Sequence, residues 1–261
     1  FFCKFDYCII HDCPSHYINS YPYSKNYGKF YLKLILNNSN NIKVVSNGMI
    51  NEYKKLVKKN KKIDFEIELG VVKRKLIEEN FIKKKRFFKS KKRKIIMAGS
   101  GHLGGRVKFK DDELINLLHI FGNDYPDYEF IFTDLRYKRF CNYKNINYTP
   151  WLTKNDLDKL FLSKSIGFAY DLSSPKYSEF AYLSFPTKIQ YYLCLSTPFL
   201  YFGPPKSSVN SLLSSSKSGR YLFPDFSKKE FKLQFEHIFE NYEEYSINAK
   251  SAGIKFFGIN N

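Results

Sequence analysis

Short apolar runs alternating with helix-patterned stretches of ten or more residues constrain this chain more than any other feature. Residues 5–10 (FDYCII) read as a buried strand ending at His11-Asp12. A helix is expected over 25–36, a strand over 42–45, a helix from Ser46 or Asn47 to 60, and a strand over 64–69. From about residue 95 the rhythm becomes regular. Strands are expected at 95–98, 128–132, 145–148, 166–170, 199–202 and 221–223. Between them helices are expected over 111–121, 153–163 and 186–195, with another from Ser207-Ser208. A long last helix should start at Ser227, where Ser227 and Glu230 form a capping box. Two strands joined by a helical crossover lie parallel, and a parallel sheet needs helices on both faces. The fold class is therefore α/β: a Rossmann-like doubly wound parallel sheet, preceded by a partial second α/β domain. The expected division is 1–70 for the partial domain, 71–93 for a basic linker and 94–261 for the doubly wound domain.

Composition matters mainly for what it excludes. Of 261 residues, 43% are hydrophobic and 18% aromatic, enough to build cores and too many for a disordered chain. No apolar run approaches the ~18–20 residues of a membrane span. Five Cys, an odd number spread thinly, suit a reducing compartment rather than a disulfide scaffold, and a cytoplasmic protein is expected. The net charge of +18 permits an anionic partner, including peripheral contact with an anionic membrane at its inner face. Lys, Asn, Ile, Phe and Tyr are all favoured by AT-rich codons, so the charge does not by itself indicate nucleic acid, and none is expected. The chain opens Phe1-Phe2-Cys3-Lys4-Phe5 without Met and reads as a fragment. Residues 73–94, with Lys83-Lys84-Lys85-Arg86 and Lys91-Lys92-Arg93-Lys94, read as a solvated linker.

In open α/β sheets ligands bind beyond the carboxyl ends of the strands. Three corners there suit phosphate. The first, Gly99-Ser100-Gly101-His102-Leu103-Gly104-Gly105, offers amides that an anion can approach closely, with Arg106, Lys108 and Lys110 following. Its Gly99-x-Gly101-x-x-Gly104 spacing matches the dinucleotide fingerprint, so an NAD-dependent oxidoreductase is an alternative. In the true motif, however, the helix opens inside the glycine run. The second corner, Phe185-Pro186-Thr187-Lys188, puts Lys188 in the first turn of a helix. A cation there opposes the helix dipole unless an anion lies between them. The third, Gly203-Pro204-Pro205-Lys206-Ser207-Ser208, is a strand-to-helix corner whose serines can cap the helix or meet an anion. Cys8, His11, Cys13 and His16 have zinc-ligand residue types, but their spacing over a strand fits a structural site poorly, and no metal is expected.

These residues carry a resemblance. The segment Phe185-Pro186-Thr187-Lys188-Ile189-Gln190-Tyr191-Tyr192, followed by Ser196-Thr197-Pro198 and Phe202-Gly203-Pro204, resembles the donor-binding half of the GT-B glycosyltransferases. Upstream, Val45-Ser46-Asn47-Gly48-Met49 and Leu69-Gly70-Val71 resemble the end of their acceptor domain, so the similarity spans roughly residues 42–250. The resemblance implies transfer of a hexose from a UDP- or GDP-sugar to a hydroxyl of a glycan or lipid-linked acceptor, with retention and without a cofactor. It implies that Arg106 and either Lys108 or Lys110 meet the donor diphosphate together with Lys188, with Gly101 of the first corner also in the donor site. Trp151 and Leu152 would flank the base, and Ser207 and Ser208 would lie near the phosphates. His11, at a strand end of the first domain, would act as a base or contact the sugar. The family's ribose-binding glutamate falls on Tyr191, which can donate one hydrogen bond but cannot accept two as a carboxylate does. Its partner eight positions earlier falls on Leu183, and the usual glycine before the proline is Ser196. An inactive relative or a basic binding module therefore stands as a further alternative.

Overall fold

The computed structural model describes residues 5–10, 25–59, 61–67, 69–89, 93–99, 112–135, 138, 141–171 and 181–259. Two compact units emerge. One comprises Phe1–Leu69, Ser174–Phe185 and Lys206–Val209; the other comprises Gly70–Ser173, Pro186–Pro205 and Asn210–Asn261.

In the first unit, β1 (Phe5–Ile10), β2 (Ser39–Val44) and β3 (Asp64–Ile67) form a parallel sheet in that order. Helices α1 (Lys25–Asn38) and α2 (Asn47–Lys54) accompany them. Ile42 and Val44 of β2 are buried with Leu36, Met49 and Tyr53, and Leu183 from the later segment completes this small core. The start of α2 was legible because the Ser46 hydroxyl accepts from the Met49 amide at 3.1 Å, the geometry of an N-cap.

The second unit opens with the short strand β4 (Val72–Lys73) and helix α3 (Arg74–Lys85). This is where sequence and structure differ most. The stretch expected to be a solvated linker contains a three-turn helix that buries Ile77, Asn80, Phe81 and Lys84. The Lys84 ammonium is fully buried. It donates to the carbonyls of Phe161 and Ser163 and to the Thr197 hydroxyl, the last at 2.9 Å. One lysine of a basic run thus serves as a buried cap for a neighbouring helix's carbonyls, which charge counting does not reveal.

The main sheet follows: β5 (Lys94–Met97), β6 (Glu129–Phe132), β7 (Ile146–Tyr148), β8 (Ser165–Tyr170), β9 (Phe199–Phe202) and β10 (Gly219–Leu222). Its spatial order is β10-β9-β8-β5-β6-β7, and every pairing is parallel. The chain builds outward from β5 through β7, then returns to the other side of β5 with β8 and continues outward. The order of connection reverses between β5 and β8, so a crevice is expected beyond the carboxyl ends of these two strands.

Alternation along the strands divides the core. Ile95, Met97, Phe130, Phe132, Ile166 and Phe168 pack with α4 (Asp112–Asp124) and α8 (Lys228–Glu240), where Phe121, Phe231 and Phe235 interlock edge-to-face or tilted. On the opposite face lie α5 (Lys154–Leu162) and α6 (Thr187–Cys194). Here Tyr192 rests directly on Gly167, where an added Cβ would stand 2.4 Å from its ring. The Tyr192 hydroxyl accepts from the Ala98 amide at 3.1 Å and donates to the Phe168 carbonyl at 2.8 Å, tying α6 to the two central strands. Helix α7 (Ser208–Ser216) leads to β10.

The capping box at Ser227 forms as expected. The single long helix does not: it breaks at Asn241 into α8 and α9 (Tyr242–Phe257). The Asn241 side chain bonds back to the His237 carbonyl at 3.0 Å, satisfying an end carbonyl of α8. The chain then closes with β11 (Gly258–Ile259), which pairs in parallel with β4. Among the described residues no helix is long and apolar enough to cross a membrane.

Candidate functional site

At the crevice set by the strand order lies an open cleft of about 340 Å³. It is lined by Ala98 and Gly99 after β5, Thr133 after β6, Trp151 and Leu152 after β7, and Leu157, Thr187, Lys188 and Tyr191. All these residues belong to the second unit. Four positions expected from the sequence, Trp151, Leu152, Lys188 and Tyr191, are therefore brought together.

Gly99 turns the chain away from β5 with φ +74, a left-handed conformation that side chains disfavour. Its amide donates to the Thr133 hydroxyl at 2.8 Å, and that hydroxyl reaches back to the Met97 carbonyl at 3.3 Å. Thr133, which the sequence reading missed, thus pins the first strand-end loop at its exit from the sheet.

Lys188 is the second residue of α6, whose N-cap is Pro186. Pro186 has no amide proton and makes no side-chain cap, so the positive end of the α6 dipole faces the cleft uncapped. Burial lowers the Lys188 pKa from 10.5 to about 8, against the negative charge of Asp171, which raises it. Asp171 is a second residue without a role in the sequence reading. It is buried at the carboxyl end of β8 and accepts from the Tyr201 hydroxyl at 2.9 Å. An aspartate closing a fully buried strand at the reversal point was the signal available in the sequence. The arrangement holds a desolvated lysine, with Asp171 acting on its charge, at a helix N-terminus.

Tyr191, the fifth residue of α6, donates its proton to the Asp158 carboxylate, which also accepts from Lys154 at 2.7 Å. Burial and then Asp158 push its ionisation well above the usual tyrosine range. The expectation that Tyr191 donates to a bound hydroxyl is corrected accordingly. Its only proton is engaged by Asp158, so the phenol oxygen can offer a ligand an acceptor. Trp151, the only tryptophan of the chain, is 77% exposed at the cleft rim, a platform for a flat ring.

Of the remaining expected residues, Ser207 and Ser208 belong to the first unit. The Ser208 hydroxyl donates to the Ser184 carbonyl, which uses the proton it would offer a phosphate. His11, Gly101, Arg106 and Lys108 lie outside the described residues, as do Lys110 and the other members of the 100–111 corner. Among the described residues no group of three His, Cys, Asp or Glu is placed to hold a metal ion.

Comparison with solved structures gives the architecture a place. Sucrose-phosphate synthase from Thermosynechococcus elongatus superposes with a TM-score of 0.63 at 9% identity, covering 97% of this chain and 63% of the synthase. The fold is that of the GT-B glycosyltransferases. WaaG, a glycosyltransferase involved in lipopolysaccharide biosynthesis, matches with a TM-score of 0.57 at 13% identity, over 97% of this chain and 72% of WaaG. Anabaena HepE, solved in complex with UDP-glucose, matches at 0.59 and 10% identity, over 97% of this chain and 68% of HepE. No protein-family model and no curated protein sequence matches the chain. Identity this low carries the GT-B architecture and leaves the chemistry to be argued from the cleft itself.

Proposed function

We propose that this chain is a glycosyltransferase that moves a hexose from a UDP- or GDP-sugar to a hydroxyl of a glycan or glycolipid acceptor, with retention of configuration and without a metal. One observation carries the proposal: a desolvated lysine at an uncapped helix N-terminus, beyond the carboxyl ends of β5 and β8. Cleaving a nucleoside-diphosphate sugar leaves growing negative charge on the diphosphate. A pre-placed ammonium and helix amides stabilise that charge without having to reorganise. In this reading Lys188 and the first turn of α6 meet the leaving diphosphate. Trp151 and Leu152 hold the base, by stacking and by apolar contact. Tyr191, oriented by Asp158, accepts from a donor hydroxyl. The solved complex of HepE with UDP-glucose supports the choice of ligand class at the level of the fold. Glycosyl transfer, donor and acceptor are all readings of this site, because the chain spans 63% of the synthase.

The test is a titration of Trp151 fluorescence with UDP, GDP, ADP and NAD, combined with detection of UDP or GDP released from the corresponding sugar conjugates. Saturable quenching by UDP or GDP, together with release of that nucleotide from its sugar conjugate, is expected. A response to NAD alone would replace the reading with the dinucleotide one.

A further inference from the structure

A second concave site lies at the other end of the main sheet. An open groove of about 460 Å³ is lined by the cations Lys85, Arg86, Lys89 and Lys164, with Tyr242 and Phe88 among its walls. Lys164 immediately precedes β8 and Arg93 immediately precedes β5, so the groove belongs to the amino ends of the two central strands. The cleft of Lys188 lies at their carboxyl ends.

The groove is electrostatically unbalanced. Among the described residues its only carboxylates are Glu240 and Glu243, and neither pairs with any of the four cations. The Lys164 ammonium stands 5.5 Å above the Tyr242 ring, and the buried Lys84 ammonium lies 5.8 Å from the same ring. Partial burial, and then the like charge of Arg93, holds the Lys164 pKa below its usual value. Cation–π contact offsets part of this repulsion, but an anion would offset far more. Folding brings Lys164 to Lys85, Arg86 and Lys89, which are already neighbours in the sequence. Ile82 and Phe87, neighbours of these residues in the sequence, are 61% and 43% exposed.

We infer that this groove is an anion site for a phosphomonoester, carried free or on a lipid headgroup, and separate from the cleft of Lys188. A phosphate dianion matches the excess of cations, and a Lys and Arg pair supplies several charge-assisted donors. The inference does not depend on the sugar-transfer reading.

Two probes distinguish the sources. Glycerol 3-phosphate is titrated calorimetrically into the full chain, and sedimentation with vesicles compares phosphatidylcholine with phosphatidylcholine containing phosphatidic acid. Binding of either probe is expected to weaken about tenfold or more in Lys164→Gln and in an Arg86→Gln/Lys89→Gln double variant. It should be unchanged in Lys188→Gln. Circular dichroism confirms that each variant is folded, and the exposed double variant serves if Lys164→Gln is not. Three results would overturn the inference: no binding of either probe by the folded wild-type chain, equal binding by the groove variants, or loss in Lys188→Gln alone, which would assign the phosphate to the other cleft.

Discussion

Ser196 offers a direct test of how well the local physics is understood. It follows α6 at the C′ position, with φ +52, and is fully buried. Glycine is the usual residue for this left-handed turn, since any Cβ crowds the following carbonyl at a cost of roughly 1–2 kcal/mol. The Ser196 hydroxyl also has no hydrogen-bond partner among the described residues, a burial cost of about 1–3 kcal/mol. Replacement by glycine removes both. Against this stand the greater backbone entropy of unfolded glycine, about 0.5–1 kcal/mol, and the packing lost with the small side chain. The main-chain bonds survive, because Ser246 donates to the Ser196 carbonyl and the Ser196 amide donates to the Leu193 carbonyl, whatever the side chain. Ser196→Gly should therefore stabilise by about 1–2 kcal/mol, raising the melting temperature by about 3–6 °C. Ser196→Ala, which loses the orphan hydroxyl and keeps the strained backbone, should fall between the two. Calorimetry or dye-monitored melting reads both variants. A lower melting temperature for Ser196→Gly than for the wild type would refute the argument.

Two further outcomes follow from the buried lysines. Lys84→Ala takes the charged donor from the Phe161 and Ser163 carbonyls, leaving them the Ser165 hydroxyl, and from the Thr197 hydroxyl, and opens a cavity; it should cost about 3–5 kcal/mol in urea unfolding. A loss under 1 kcal/mol, about the scale of a surface change, would mean the ammonium is not buried. Because burial holds the Lys188 pKa near 8 and the unfolded value is 10.5, the unfolded chain binds more protons between these values, so stability should rise with pH across that window. Lys84, whose pKa is also lowered by burial, acts in the same direction. A diphosphate selects the ammonium form of Lys188, so calorimetric affinity for UDP should be flat below about pH 8 and then weaken by up to tenfold per pH unit. A pH-independent affinity would separate Lys188 from the ligand.

What the sequence disclosed depended on range. Strand and helix identities were legible because alternation and caps are local: Ser46, Thr153 and Ser227 each cap the helix they precede. The parallel sheet followed from crossover length, and with it the edge where a ligand cleft had to lie. Trp151, Leu152, Lys188 and Tyr191 were found because they sit in strand-end loops or the helix beyond. Long-range partners were not legible. Lys84 looked like one solvated lysine among several, since its three oxygens come from residues about 80 to 110 positions away. The proton of Tyr191 looked available because Asp158 lies on another helix. Ser208 looked like a phosphate donor, yet its acceptor is the Ser184 main chain. The short β4–β11 pair carries only two residues per strand, too few for any pattern.

The most direct measurement is the affinity of UDP and GDP for the wild-type chain and for Lys188→Gln, determined by calorimetry near pH 7 on protein shown to be folded. The account predicts saturable binding of at least one nucleotide to the wild type, and weakening by about 1.5–3 kcal/mol in the variant, the value of a charge-assisted hydrogen bond. Equal affinity in both proteins, or no binding of either nucleotide to the wild type, would contradict it.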